Sequence, residues 1–410
     1  MSANARPDSG GAKPRIAIVR HSFYPFELNV KREAEALRDA GYDVDVICLR
    51  NEGEAPFEVV EGVSVYRLPV GHRRGKILRY LWEYNAFFVL ASIKLGGLHK
   101  KHRYAAVQVN TMPDYLVFVA LYPKLTGARV VLHLHEPIPE LFGTMFPSRW
   151  YTRPFLWTLE RVEQTSIRFA DRAITVTDQM RDNFVRRGAD ANKIAVVVNV
   201  PDDRYFQLER YEHLRAKIDK IKSDDRARGV FRVLTHGSIE KRYGFDTIVS
   251  AVALAKDRVP GIQFRFMGSG DHLKDVLATA AKLGVADRVQ HLGFVPFESM
   301  VEEILLADVC VVAVERNPYS VLVHTNKMFE YMALERPVIM SRLDAVAAYL
   351  PDDAALYFES GSANQLADRL VDVARNPEAA QARVQRANEL YREHQWENEK
   401  RQYLDRYRPA

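Results

Sequence analysis

The sequence predicts an α/β protein of two facing, doubly wound, Rossmann-like domains with a cleft between them. Three observations carry that prediction. Short apolar runs alternate with amphipathic helical stretches along most of the chain. The alternation occurs twice, interrupted by a charged stretch at 201–229 that holds no apolar strand run. The length, 410 residues, exceeds one ordinary core and points to two or three domains. Apolar strands separated by helices of this length imply parallel sheets covered on both faces. Ligands in such sheets bind beyond the carboxyl ends of the strands.

The first series opens with the strand RIAIVR (15–20), the helix LNVKREAEALRDAG (28–41) closed by Gly41, and the strand DVDVICL (43–49). It continues with AAVQVN (105–110), a helix from Pro113, ARVVLHLH (128–135), a helix near 152–170, RAITVT (172–177) and KIAVVVN (193–199). The second series begins with VFRVLTHG (230–237), a helix from Phe245, IQFRFMG (262–268), a helix from His272 and RVQHLG (288–293). A helix from Glu298, DVCVVAV (308–314), a helix near 326–333, PVIMS (337–341) and ALYF (355–358) complete it. The expected boundaries are a disordered tail over 1–13, a first domain over 14–200, a linker region over 201–229 and a second domain over 230–388. A C-terminal helix over 389–410 is expected to pack back toward the first domain.

Hydrophobic residues make up 47% and charged residues 27%, the balance of a soluble globular chain. No apolar run reaches the roughly 20 residues that span a bilayer. The start, MSANARPDSGGAKPR, lacks the apolar core of a secretory signal, so a cytoplasmic location is expected. Cys48 and Cys310 sit in apolar, β-rich runs and read as reduced core residues. Net charge is +5, which favours an anionic partner. Nothing resembles a helix-turn-helix, zinc finger or RNP pattern, so nucleic acid is not expected. Residues 72–103 combine basic ends with an aromatic, apolar middle. Two readings stay open there: a helix against an anionic membrane interface, or a helix of the first domain with solvated ends.

Chemistry is sought in the turns after strands. HGSIEKRYGFDTI follows the strand at 230–236. Gly237 admits close backbone approach, Lys241 and Arg242 supply cations, and Gly244 opens a helix, a combination suited to a pyrophosphate. An ordinary strand–helix turn with surface charges is the bland alternative. GSGD (268–271) is not a dinucleotide fingerprint, HSFYPFE after the first strand has no glycine, and no P-loop is present. A dehydrogenase and an ATPase are thereby disfavoured. In HTNKMFEYMALERPVIMS (324–341), Asn326 stands where a helix starts, as an expected N-cap. Lys327 adds charge to the exposed N–H groups, and Glu330 lies one turn in, able to accept from the vicinal hydroxyls of a ribose. A core helix packed through Met328, Phe329, Tyr331 and Met332 is the alternative.

NKMFEYMALERPVI resembles the donor-site signature of the family-4 retaining glycosyltransferases of the GT-B fold (glycosyl transferases group 1). HGSIEKRYGFDTIVSAV resembles that family's phosphate loop, and MGSGDHLKDVLATAAKLGVADRVQHLGFVPFESMVEEILLADV the stretch between them. YPFELNVKREAEALRDAGYDVDVICL and VVLHLHEPIPELF resemble its bacterial members, so the resemblance covers about residues 14–405. It implies that Glu330 binds the nucleotide ribose and that Lys241 and Arg242 lie in the loop neutralising the donor pyrophosphate, with Gly237 admitting close approach. It places Gly268 and Val295 at the base, and His135 in the cleft near the transferred sugar. The first domain would bind the acceptor and the second the donor. The first Glu of the family's Glu-x7-Glu pair is Leu322 here, and the usual loop Arg and Lys fall on Ser238 and Tyr243.

The implied activity is metal-independent, retaining transfer of a hexosyl unit from a UDP- or GDP-linked sugar, with no cofactor. The implied acceptor is a glycan or lipid-linked glycan of bacterial polysaccharide or glycoconjugate synthesis at the inner membrane face. The departing phosphate would help deprotonate the acceptor, so no side-chain nucleophile is required. Two stretches have the look of metal motifs. Asp43-Val44-Asp45 reads as a solvated strand edge, and His133, His135 and Glu136 as a cleft histidine and a turn rather than zinc ligands. Two other classes remain: a nucleotide-sugar epimerase, revealed by free 2-epimerised sugar, and a non-catalytic binding or scaffold protein, which Leu322 would suit.

Overall fold

A computed structural model of the protein describes residues 13–71, 77–145 and 150–408. The expected tail lies outside the described residues except for Lys13, and so do residues 72–76 of the basic stretch.

The first sheet contains β1 (Arg15–Phe23), β2 (Asp43–Leu49), β3 (Phe57–Val60), β4 (Val63–Leu68), β5 (Ala106–Asn110), β6 (Arg129–Leu134), β7 (Arg172–Thr175) and β8 (Ile194–Val196). Its order is β3-β4-β2-β1-β5-β6-β7-β8, parallel throughout except for the β3–β4 hairpin. The second sheet contains β9 (Phe231–His236), β10 (Ile262–Met267), β11 (Val289–His291), β12 (Val309–Val312), β13 (Val338–Ser341) and β14 (Leu356–Phe358). Its order is β11-β10-β9-β12-β13-β14, all parallel. That is the doubly wound order whose direction reverses between the first and fourth strands, here β9 and β12. A crevice opens at such a reversal because the helices after the two strands cover opposite faces.

The β3–β4 hairpin corrects one expectation. Asp43 and Asp45 do not edge the sheet, because β4 pairs with β2 on its outer side. Asp45 is fully buried, held by Arg15 at 3.0 Å and by the Tyr104 hydroxyl at 2.6 Å. Arg15 also reaches Asp43 at 2.9 Å, so one guanidinium answers both carboxylates of the strand face.

Five helices matter below: α1 (Leu28–Asp39), α2 (Ile77–His102), α3 (Asn326–Ala333), α4 (Pro377–Glu393) and α5 (Trp396–Asp405). α2 buries Phe87, Ala91 and Leu95 on one face and exposes Trp82, Val89 and Ile93 on another. Among the described residues no helix is long and apolar enough to cross a membrane. The segment expected as one helix over 389–410 is two, because the chain leaves α4 at His394 and restarts at Trp396. α5 then lies on the first domain. Arg172 donates to the Asp405 carbonyl, Val198 N–H to Glu399, and Tyr403 is fully buried. Asp203 joins the two chain crossings between domains, accepting from Tyr391 and from the Trp396 N–H, each at 3.0 Å.

Candidate functional site

A cavity of about 490 Å³ opens at the carboxyl ends of β9 and β12, the reversal point of the second sheet, and Leu28 and Glu136 of the first domain close its far side. Its floor is the loop after β9. Gly237 has φ 107°, and a Cβ there would stand 2.8 Å from Lys327 Cε. A side chain at 237 would therefore both strain the backbone and push the lysine away. Lys327 Nζ lies 4.3 Å over the Tyr243 ring. Tyr243 holds the place of the family's loop lysine, so the ammonium beside this loop comes from α3 instead. Burial pushes the Lys327 pKa down to about 8, against the pull of Glu330 and Glu240. Arg242 pairs with Glu240 at 3.0 Å and packs over Tyr243 and Tyr319.

α3 points its first turn into the same cavity. Its N-cap is Thr325 rather than Asn326, which is the first helical residue, and Thr325 makes no side-chain cap. The Met328 N–H turns back to the Thr325 carbonyl at 3.3 Å, which leaves the N–H groups of Asn326 and Lys327 for a ligand, with the positive end of the helix dipole behind them. One turn further, Glu330 Oε2 meets His236 Nε2 at 2.8 Å, and His236 Nδ1 meets the Tyr331 hydroxyl at 2.8 Å. In the neutral tautomer that satisfies both contacts, Tyr331 donates to Nδ1 and Nε2–H donates to Glu330. Burial raises the Tyr331 pKa well above its ordinary value and keeps that donor protonated. His236 thus orients a carboxylate whose other lone pairs face the cavity.

Of the residues singled out in the sequence, Gly237, Arg242, Asn326, Lys327 and Glu330 line this cavity, and His135, Lys241, Gly268 and Val295 do not. Lys241 is exposed, so Arg242 is the cation this loop turns inward. A Cβ on Gly268 would sit 1.9 Å from the Gly237 carbonyl, so this glycine keeps two adjacent strand-end loops in contact. Val295 packs at the margin of the apolar core. His135 is part-buried at the end of β6, 3.2 Å from Asn110 Nδ2. Burial, with His133, Arg20 and Arg32 nearby, drives its pKa well below the ordinary histidine value.

His236, Glu136 and Tyr319 were missed in the sequence. His236 was readable as a polar residue ending a strand directly before the loop glycine. Glu136 accepts from the Tyr319 hydroxyl across the domain seam, and burial raises its pKa despite that bond and Arg242 nearby. No local signal pairs residues 183 positions apart. The same seam explains Leu322. Its side chain packs on the first domain's core, and its carbonyl accepts from Thr177 Oγ1 at 2.6 Å. The position that holds a carboxylate in relatives is here a contact between domains.

Among the described residues, Glu33, His133 and His135 bring ligand-type atoms within 4.8 Å of one another. Glu33 Oε2 already accepts from Gln108 Nε2 at 2.6 Å and Asn110 Nδ2 at 2.9 Å. The two imidazoles stack with their ring centroids 4.0 Å apart and 24° between their planes.

Two Rossmann-like domains facing across such a cavity define the GT-B architecture. The chain belongs to the family-4, group 1 glycosyltransferases and is a glycosyltransferase. Residues 28–199 match the glycosyl transferase 4-like domain, and residues 230–376 match glycosyl transferases group 1. Sucrose-phosphate synthase from Thermosynechococcus elongatus shares the fold at 19% identity and TM-score 0.76, over 96% of this chain and 98% of that one. Anabaena HepE in complex with UDP-glucose shares it at 15% identity and TM-score 0.69, over 95% and 98%. WaaG, a glycosyltransferase involved in lipopolysaccharide biosynthesis, shares it at 16% identity and TM-score 0.71, over 96% and 100%. No curated protein sequence matches the chain.

Proposed function

We propose that the protein is a retaining, metal-independent glycosyltransferase. It moves a hexosyl unit from a UDP- or GDP-linked sugar to a glycan or lipid-linked glycan acceptor in bacterial polysaccharide or glycoconjugate synthesis. The carrying observation is one cavity in which an uncapped helix N-terminus, Lys327, Arg242 and the open side of Glu330 converge. That set matches a nucleoside diphosphate group by group. The helix end and the two cations answer the pyrophosphate, and the carboxylate answers the ribose hydroxyls. HepE, on the same fold, is known in complexes with UDP and UDP-glucose, which supports a sugar nucleotide here.

Departure of the diphosphate separates charge. The cations and helix end stabilise the leaving group where negative charge grows, and closure over the cavity excludes water. In this reading the protein cations do for the pyrophosphate what a divalent ion does elsewhere. Attack comes from the face the leaving group vacates, and the departing phosphate takes the acceptor's proton. In this reading His135, which does not line the cavity as it stands, comes beside the transferred sugar when the domains close, and the first domain supplies the acceptor side. The protein works in the cytoplasm at the inner face of the plasma membrane. The exposed Trp82, Val89 and Ile93 of α2, with Lys100 and Lys101 at its end, support contact with an anionic surface.

A thermal-shift series with UDP-, GDP-, dTDP- and ADP-sugars tests the donor site. A UDP- or GDP-sugar is expected to raise the melting temperature of the wild type and to lose most of that effect in Glu330→Ala. If no sugar nucleotide shifts the wild type, the reading fails. A chelator series on transfer activity tests metal independence.

A further inference from the structure

Deep in the first domain a chain of hydrogen bonds runs from the last helix to the end of β6. Tyr403, on α5, donates to Gln108 Oε1 at 2.6 Å, and Tyr407, just beyond that helix, donates to the same oxygen. Gln108 Nε2 reaches Glu33 Oε2 and Asn110 Oδ1. Asn110 Nδ2 reaches Glu33 Oε2 at 2.9 Å and His135 Nε2 at 3.2 Å. Gln108, Asn110 and Glu33 are all buried.

The donor and acceptor inventory of this chain has one solution, and the carboxylate fixes it. Burial alone would raise the Glu33 carboxyl, but His133 and the amide donors of Asn110 and Gln108 more than offset that and hold its pKa below the usual value. An ionised carboxylate only accepts, so both amides must turn their NH₂ groups toward it. Gln108 then presents Oε1 to the two phenols. Burial keeps both phenols protonated, their pKa values well above the ordinary one. Asn110 uses one N–H on Glu33, and its second points at His135 Nε2. A ring nitrogen that accepts carries no proton, so the proton of neutral His135 sits on Nδ1.

The geometry points to Glu33, Asn110, Gln108 and the two phenols of the C-terminal segment as positioning residues that set the tautomer of His135. With Nε2 committed to Asn110, this imidazole has one N–H to offer a ligand and no lone pair. It acts as a fixed hydrogen-bond donor and not as a general base. Docking of the last helix completes the arrangement, because Tyr403 and Tyr407 hold the amide that orients Asn110.

The kinetic part of the test rests on the transferase reading above, and the spectroscopic part does not. In the full-length chain labelled with 15N-histidine, His135 is identified by the signals lost in His135→Asn. At pH 7 it is expected to show a protonated Nδ1 and an unprotonated Nε2. A proton on Nε2, or an imidazolium, overturns the inference. In Asn110→Ala and in Tyr403→Phe/Tyr407→Phe, the wild-type tautomer is expected to give way to a mixture, and the phenol variant covers the case in which Asn110→Ala does not fold. A tautomer unchanged in the folded phenol variant removes α5 from the chain. Turnover of a sugar nucleotide by the phenol variant is expected to fall about tenfold, as for loss of an outer orienting partner, with donor KM within about twofold of wild type. If KM rises with kcat unchanged, the phenols do not act through His135. A wild type that transfers no sugar yet carries its proton on Nδ1 sinks the proposed function and leaves this inference standing.

Discussion

Each domain holds a carboxylate beside a histidine, and the two pairs behave differently. In the second domain His236 sits 2.8 Å from Glu330, and in the first His133 sits 2.9 Å from Glu33. Glu330 is half-buried and meets a single side-chain donor on the wall of the cavity. Glu33 is almost wholly buried, and two amides share its other oxygen. The difference lies in the lone pairs left over. A carboxylate with unspent acceptor capacity at a cavity wall can bind, and one whose capacity is filled from within can only orient its neighbours.

Removing each carboxylate is the most direct way to break this contrast. Glu33→Ala strands a buried imidazole and two buried amides, and loss of one partner from such a set costs about 3–5 kcal/mol. Urea denaturation should show a midpoint lowered to match. A fall below about 0.5 kcal/mol, the size of an ordinary surface change, would put Glu33 in the same class as Glu330. Glu330→Ala should do the reverse. Loss of charged hydrogen bonds to a ribose costs about 1.5–3 kcal/mol of binding, roughly 10- to 100-fold in donor Kd by calorimetry, while unfolding barely changes.

Two smaller effects sharpen the picture at the open site. Gly237→Ala should cost about 1–3 kcal/mol of stability through its left-handed backbone. It should also weaken donor binding, because the new methyl displaces Lys327. Equal loss of affinity in Gly237→Ala and Gly237→Ala/Lys327→Met would tie the binding defect to the lysine. The last concerns pH. The free-state pKa of Lys327 is about 8, and a bound diphosphate favours the protonated form. Affinity should therefore be greatest below pH 8 and fall as pH rises through it, by up to about tenfold one unit above. Calorimetry at pH 7 and 9 should find that loss in wild type and not in Lys327→Met.

The fold was legible because periodicity is local. The strand runs at 43–49 and 337–341 and the helix at 28–41 stand within a residue or two of β2, β13 and α1. The hairpin of β3 and β4 was not seen, because it breaks the strand–helix alternation and its outer strand is largely exposed. Missing it left Asp45 on an apparent edge. At the site, the loop at 237–244 and the start of α3 were readable as backbone devices carrying charges. Which cation faces inward was not, since Lys241 and Arg242 are neighbours that the chain turns opposite ways. Glu33 offers no local signal at all. It is one of several acidic residues on an amphipathic helix, and only the pairing of β1, β5 and β6 brings Gln108, Asn110 and His133 to it.

α5 packs against β-strands that the chain completes long before it. Tyr403 and Tyr407 meet Gln108 only after the entire second sheet has been translated. A nascent chain therefore carries its first domain with that amide unanswered while the second domain emerges and folds. The N-terminal half therefore completes this network only once the segment carrying Tyr403 and Tyr407 has been made.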